Sequence, residues 1–459
     1  MNESQPQQPS RRQVLKTTGQ IAAAGALAAA IVPNVHAAGN DLIQVALVGC
    51  GGRGTGAAMN AISTKPGPIK VVAMADAYEG RLKGSYGNLS KQGKEKVDVP
   101  AERQFAGYDS YKAALDCLKP GDVAIFATPC AFRWVHFQYA IAKGLNVFME
   151  KPVTADGPTS RRMLALGEEA TAKGLKVGVG LMSRHAKHIQ ELKKHIEAGE
   201  IGDIISMRGY RMQGLLGHSS SLPKPANISD LDYQIQRFHS FLWSGGGAFS
   251  DFNIHIIDHL SWLKGSWPVK AMGIGGRHFK TAGEKPYVDQ NFDSYSIEYT
   301  YNDGTKLFMD GRTMTNAHNI YCSFIHGSKG LAVAARSGDC GGPSITYKGQ
   351  MESKENKIWE SQDNTNPYQN EWDTLIECIR ENKPHNEVKH GVEASLVTSM
   401  GRRSAHTAQE ITFDEMLNDE WEYAPGIDKL TKESPAPVLP DSNGMYPQPQ
   451  PGTKKKREY

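Results

Sequence analysis

Two rhythms of apolar and polar positions organise the chain. In the first third, short and almost unbroken apolar runs recur: IQVALV from residue 43, VVAMA ending before Asp76, DVAIFAT at 122–128 and NVFME at 146–150. Runs of this kind are strands buried on both faces, and the longer stretches between them read as crossover helices. Strand and helix in alternation predict a parallel, doubly wound α/β sheet. In the second half the period shortens to two. SYSIEYTYNDGTKLFMDGRT at 294–313 reads as an alternating strand, an Asn-Asp-Gly turn and a returning strand. Between these regions, residues 213–242 show no period and mix aromatic residues with Arg237 and His239, which reads as a long loop.

The amino terminus breaks the pattern. Ser10-Arg11-Arg12-Gln13-Val14-Leu15-Lys16 precedes TTGQIAAAGALAAAIVP, which is apolar and uncharged, and Val35-His36-Ala37 follows as a small-residue cleavage site. These parts make residues 1–37 a twin-arginine export signal. The competing reading, a membrane anchor, needs roughly 20 apolar residues, and the run from Ile21 to Val32 is shorter. Such a leader sends out chains that have already folded. It predicts passage through the twin-arginine machinery, a periplasmic or otherwise exported address, and a cofactor inserted before export.

Charge narrows the partners. Lys and Arg number 52 against 49 Asp and Glu in 459 residues, and part of that small excess lies in the leader. A near-neutral balance points to neither nucleic acid nor an anionic membrane surface. Six cysteines (50, 117, 130, 322, 340 and 378) include no C-x-x-C pair, so neither a zinc site nor a disulfide framework is expected. KKKR at 454–457 sits in a Pro-, Gln- and Gly-rich stretch, 426–459, that reads as a solvated polar tail. At roughly 150 residues per domain, the rest divides into a first domain at 40–155 and a second at 156–425.

The candidate chemistry begins at Gly49-Cys50-Gly51-Gly52-Arg53-Gly54, which joins the first strand to a helix start. The first glycine permits a tight turn, the second lets backbone approach a pyrophosphate, and the third lets helix pack on strand. Asp76 closes the next strand, where a carboxylate accepts hydrogen bonds from an adenosine ribose and repels a 2'-phosphate. Its neighbour Ala77 adds no positive charge. NAD is therefore favoured over NADP, although Arg53 and Arg81 are within reach of a phosphate. Ligands of such sheets sit beyond the carboxyl ends of the strands, which adds Thr128, Pro129, His136, Glu150 and Lys151 to the cofactor edge.

With these elements in place, the chain from about 42 to 425 resembles the Gfo/Idh/MocA oxidoreductases, the glucose-fructose oxidoreductase and inositol dehydrogenase group. The resemblance is carried by GCGGRG, Thr128-Pro129 with His136, Glu150-Lys151-Pro152, EAGEIGDI at 197 and GGGAFSDFNIHIID at 245. It implies an N-terminal Rossmann sheet, then a C-terminal α+β domain with a large open, mainly antiparallel sheet that often forms a homo-oligomer interface. Two departures stand out: Asn253 where the family often has glycine, and extra residues between Pro129 and His136.

Asp251, His255 and Asp258 are spaced to share one face of a helix. The resemblance joins Lys151, Asp251 and His255 around the reacting carbon of a sugar or polyol. There His255 would take the hydroxyl proton, directly or through Lys151 or water, and Lys151 would hydrogen-bond the oxygen where charge develops. Asp251 would hold the lysine or the sugar in place. His255 and His259 also have the spacing of a zinc pair, but Ile256 replaces the glutamate of a metalloprotease and no third ligand stands out. Arg184, His185, Arg237 and His239 are further candidates for substrate contact. Three functions remain open: an exported oxidoreductase that keeps and resets its nucleotide, a redox-neutral cleavage of glycosides through oxidation and elimination, and a non-catalytic nucleotide- or sugar-binding protein. The intact Lys151 favours the first.

Overall fold

A computed structural model describes residues 41–278 and 280–459, and the expected leader lies outside them. The apolar runs of the first third form six strands: β1 (Ile43–Val48), β2 (Ile69–Asp76), β3 (Gln104–Ala106), β4 (Val123–Phe126), β5 (Asn146–Met149) and β6 (Val177–Val179). They pair in parallel in the order β3-β2-β1-β4-β5-β6. The order reverses beside β1, which opens a crevice at the strand ends for a ligand.

Alternate side chains of each strand enter different cores, as a two-faced sheet requires. Val45 and Leu47 pack with Ala57, Ala61 and Leu82 of the helices Gly52–Ile62 and Glu79–Gly93. Ala46 and Val48 face the side covered by the helices Ser110–Asp116, Arg133–Ala142 and Gly157–Ala172. The boundary expected at residue 155 therefore falls too early. The helix Gly157–Ala172 is one more crossover, leading to β6, a strand too short to announce itself. A helix from far along the chain, Pro367–Arg380, completes the first face, with Trp372 against the Phe148 ring at 4.6 Å.

The second sheet has nine strands: β7 (Ile204–Gln213), β8 (Lys270–Gly276), β11 (Ser294–Thr300), β12 (Lys306–Thr313), β13 (Ile320–Gly327), β14 (Gly330–Ala335), β15 (Ile345–Lys348), β16 (Lys357–Glu360) and β17 (Ile411–Thr412). A small ribbon, β9 (Thr281–Ala282) with β10 (Lys285–Pro286), stands apart. The order is β16-β15-β14-β13-β7-β12-β11-β8-β17, and the β7–β12 pair runs parallel while its neighbours are antiparallel. The hairpin read at 294–313 is present, with Ser294 opposite Arg312 and Thr300 opposite Lys306. One face is covered by the helices Gly247–Lys264 and Val388–Thr407, whose Ile254, Leu260 and Val397 share a core with Met207, Ile297 and Met309. On strand β8 the side chains of Met272 and Ile274 are 57% and 74% exposed.

The carboxyl-terminal stretch is not a free tail. Lys455, Lys456 and Arg457 are exposed, but their neighbours dock. The Tyr446 ring meets Phe241 edge-on at 4.8 Å, and Gln234 donates to the Val438 carbonyl at 2.6 Å. Glu458 is fully buried, ion-paired to Arg402 at 2.9 Å and 2.8 Å from the His406 ring. Scattered apolar anchors between prolines hold the segment, a pattern with no period to read. Among the described residues no helix is long and apolar enough to cross a membrane.

Candidate active site between the two domains

The glycine loop is shaped by close approach. Gly49 has φ +97°, and a Cβ on it would stand 2.7 Å from the Ala127 backbone. One on Gly54 would stand 1.9 Å from the Gly49 carbonyl oxygen. The space beside Gly51 and Gly52 is open, with nothing within 4 Å of an added Cβ. That open side faces a cavity of about 420 Å³ lined also by Asp76, Thr128, His136, Glu150, Lys151 and Asp251. The buried Asp76 accepts hydrogen bonds from the Cys50 N–H (2.7 Å) and the Tyr78 N–H (2.9 Å). Burial raises its carboxyl from the ordinary range, and those two donors and Arg81 oppose the rise. A glycine cradle open to the cavity and a carboxylate at the next strand end fit a dinucleotide.

The cations weighed for a phosphate have different positions. Arg53 lines the cavity with its Nε turned to Glu150 at 2.5 Å and its guanidinium over the Tyr368 ring at 4.7 Å. Arg81 lines the cavity, stacks over Tyr78 at 5.3 Å and donates to the Gln236 carbonyl at 3.4 Å. It belongs to a roof. The segment read as an unstructured loop contains a helix, Asp230–Gln236, capped by Ser229. Tyr108 donates to Asp232 Oδ1 at 2.7 Å and Tyr78 to the Asp232 carbonyl at 3.3 Å, joining the rims of the two domains.

Lys151 and Asp251 meet inside this cavity. Lys151 follows β5, and Asp251 lies in the first turns of the helix Gly247–Lys264. The Lys151 Nζ donates to the Asp251 carbonyl at 2.7 Å and stands 3.2 Å from its Oδ1, with both side chains nearly buried. Burial opposes ionisation of Asp251, but Lys151 and His239 outweigh it and hold the carboxyl far below its usual range. His255 lies one helical turn further on and is buried outside the residues lining the cavity. Its Nδ1 has no hydrogen-bond partner. Burial lowers the ring to about 4, opposed chiefly by the charge of Asp339. Asp339 pairs with Arg211 at 3.0 Å and accepts from Tyr321. His136, beside Thr128 Oγ1 at 3.2 Å, is lowered to about 3 by burial and by Arg133.

The other candidates separate. His239 reaches the cavity and bonds Asp251 Oδ2 at 3.1 Å. Arg184 instead forms a forked pair with Asp258, with its shortest contact at 2.7 Å, and His185 bonds Glu387 at 3.1 Å; neither lines the cavity. Arg237 is exposed and outside the lining as well. His259 bonds Ser323 at 2.9 Å, and among the described residues no group of His, Cys, Asp and Glu could hold a metal. Sequence reasoning missed Tyr78, Tyr108, His218 and Phe238 on the cavity wall and Asp339 beside His255. The position of Tyr108 just beyond β3, at a strand end, was the available signal.

A doubly wound sheet joined to an open mixed sheet, with a Lys–Asp pair where they meet, defines a two-domain α/β architecture. Residues 189–333 match the family model described as the GFO/IDH/MocA C-terminal domain. The chain is 28% identical over 235 residues to scyllo-inositol 2-dehydrogenase (NAD(+)) of Bacillus subtilis, which is 51% of this chain and 57% of that protein. It thus spans about half the length of the curated relatives it matches. Among solved structures, myo-inositol 2-dehydrogenase of Lactobacillus plantarum superposes with a TM-score of 0.59 at 21% identity, covering 81% of this chain and 99% of that one. Scyllo-inositol dehydrogenase of Lactobacillus casei with bound NAD(H) and scyllo-inositol gives 0.59 at 17%, covering 82% and 100%. These likenesses share the fold.

Proposed function

We propose that the protein is an oxidoreductase that moves a hydride between NAD and a secondary alcohol of a sugar or polyol, and that it leaves the cytoplasm folded, with its nucleotide in place. One observation carries the reading: the Lys151–Asp251 pair lines the same cavity as the open side of the glycine loop. The inositol dehydrogenases among its relatives support the substrate class. NAD is preferred to NADP because the Asp76 carboxylate closes β2, where it would repel a 2'-phosphate.

When bound, the nicotinamide supplies the two-electron acceptor. The protein handles charge and proton. Lys151 donates to the substrate oxygen as negative charge grows on it, a role that strengthens in the transition state. Asp251 fixes the lysine through two contacts and keeps it from swinging into solvent. His255, neutral above about pH 4, is the acceptor for the hydroxyl proton, through Lys151 or a water.

The test begins with protein purified without added nucleotide, denatured, and examined for released NAD or NADP by mass spectrometry. Lys151→Met should retain that nucleotide and lose about 10²- to 10³-fold in turnover on a sugar and polyol panel. An empty protein that also refuses added NAD and NADP would sink the reading. Release of aglycone from a glycoside without any second acceptor would move it to redox-neutral cleavage.

A further inference from the structure

His239 takes no step in the reaction above, yet both of its ring nitrogens are committed. The backbone N–H of His218 donates to Nδ1 at 3.2 Å, and Nε2 stands 3.1 Å from Asp251 Oδ2. A backbone N–H only donates, so Nδ1 must present its lone pair. The one proton of the neutral ring then sits on Nε2 and points at the carboxylate. A cationic ring would carry a proton on Nδ1 as well and would break the His218 contact. Packing holds the ring in this pose: Phe238 lies 3.9 Å away and Phe252 4.9 Å, centroid to centroid. A Cβ on Gly217, whose φ is +53°, would stand 2.8 Å from the ring atoms Cε1 and Nδ1.

We propose that His239 is a positioning residue: locked as its Nε2–H tautomer, it holds one oxygen of Asp251 and thereby aims the other at Lys151. This rests on the reading that Lys151 and Asp251 flank the reacting carbon. The terminal torsion of an aspartate is broad and roughly two-fold, so a carboxylate tied only to a lysine is free to turn both oxygens toward it. Such a grip would draw the ammonium off the substrate oxygen. His239 removes that freedom by occupying Oδ2. The same lock excludes His239 as proton acceptor, because the lone pair of Nδ1 is already used.

The tautomer is directly readable by nuclear magnetic resonance of protein with ¹⁵N-labelled histidine rings, purified with whatever nucleotide it carries. A neutral ring with its proton on Nε2, missing from His239→Gln, supports the lock. A ring protonated on Nδ1, or cationic, and lost in the same variant, overturns it. Kinetics then separates positioning from packing, with myo-inositol and D-glucose as probes and nucleotide absorbance as readout. His239→Ala should slow hydride transfer about 100-fold, the scale of a misplaced catalytic group, with probe KM and nucleotide content near wild type. His239→Gln, whose amide keeps a donor in place of Nε2–H, should recover about 10-fold of that loss. Equal rates in Ala, Gln and wild type overturn the positioning role, as does an equal loss in Ala and Gln. A wild type that shows the tautomer and holds nucleotide, yet transfers no hydride with either probe, overturns the proposed reaction and the positioning role with it.

Discussion

His136, His255 and His259 are buried rings lowered by burial to about 3, 4 and 4. Each binds a proton more weakly in the folded protein than at the ordinary 6.5 of an unfolded chain, so unfolding takes up protons between about pH 6.5 and 4. Stability therefore rises with pH across that window and is lost as pH falls, by about 1.4 kcal/mol per ring per pH unit. The carboxylates of Asp251 and Glu387, held low against burial by Lys151 with His239 and by His185 respectively, lose their contribution in the same direction at lower pH. Melting temperature should fall steadily from pH 7 to pH 5, and a flat profile would show that these rings are not held neutral. At this scale the strand-end rule made Gly49, Asp76 and Lys151 legible, because it is local. Arg184 and His185 misled because the carboxylates that satisfy them, Asp258 and Glu387, lie 74 and 202 residues away.

The helix Gly247–Lys264 carries Asp251 and His255, and its first turn is pinned from outside. Arg402 donates to the Gly246 carbonyl and to Ser250 Oγ (2.8 Å), while its other nitrogens are held by Glu458 at 2.9 Å. Removing one partner of a buried ion pair costs about 3–5 kcal/mol. Glu458→Ala should lower the unfolding free energy by that order in a denaturant titration; an unchanged midpoint would mean that the carboxyl-terminal segment does not pin the helix. The spacing of Asp251, His255 and Asp258 placed them on one face on the condition of a helix, which is present, and the 294–313 hairpin was readable from its alternation and turn. The docked segment was not, since its anchors Val438, Tyr446 and Glu458 follow no period and act one at a time. Nor was the helix Asp230–Gln236, which is short and preceded by prolines, although Ser229 is a cap by residue type.

At the scale of the whole molecule, the nine-stranded sheet leaves Met272 and Ile274 of β8 in solvent among the described residues. Flat apolar strand surface of this kind invites a second copy. Were a second copy seated there, Met272→Asp with Ile274→Asp would reduce the particle mass in sedimentation, and an unchanged mass would show that no copy is held through β8. The other whole-molecule feature is the roof, where Tyr78, Tyr108 and Arg81 reach across to Asp232 and Gln236. Were a dinucleotide beneath it to leave only as these contacts part together, at about 1 kcal/mol each, its stay would lengthen roughly a hundredfold over an open cleft. Its departure and the conversion of substrate then run on separate clocks. A molecule built this way, given a second substrate to take the hydride back, would go on working in a compartment that holds no free nucleotide.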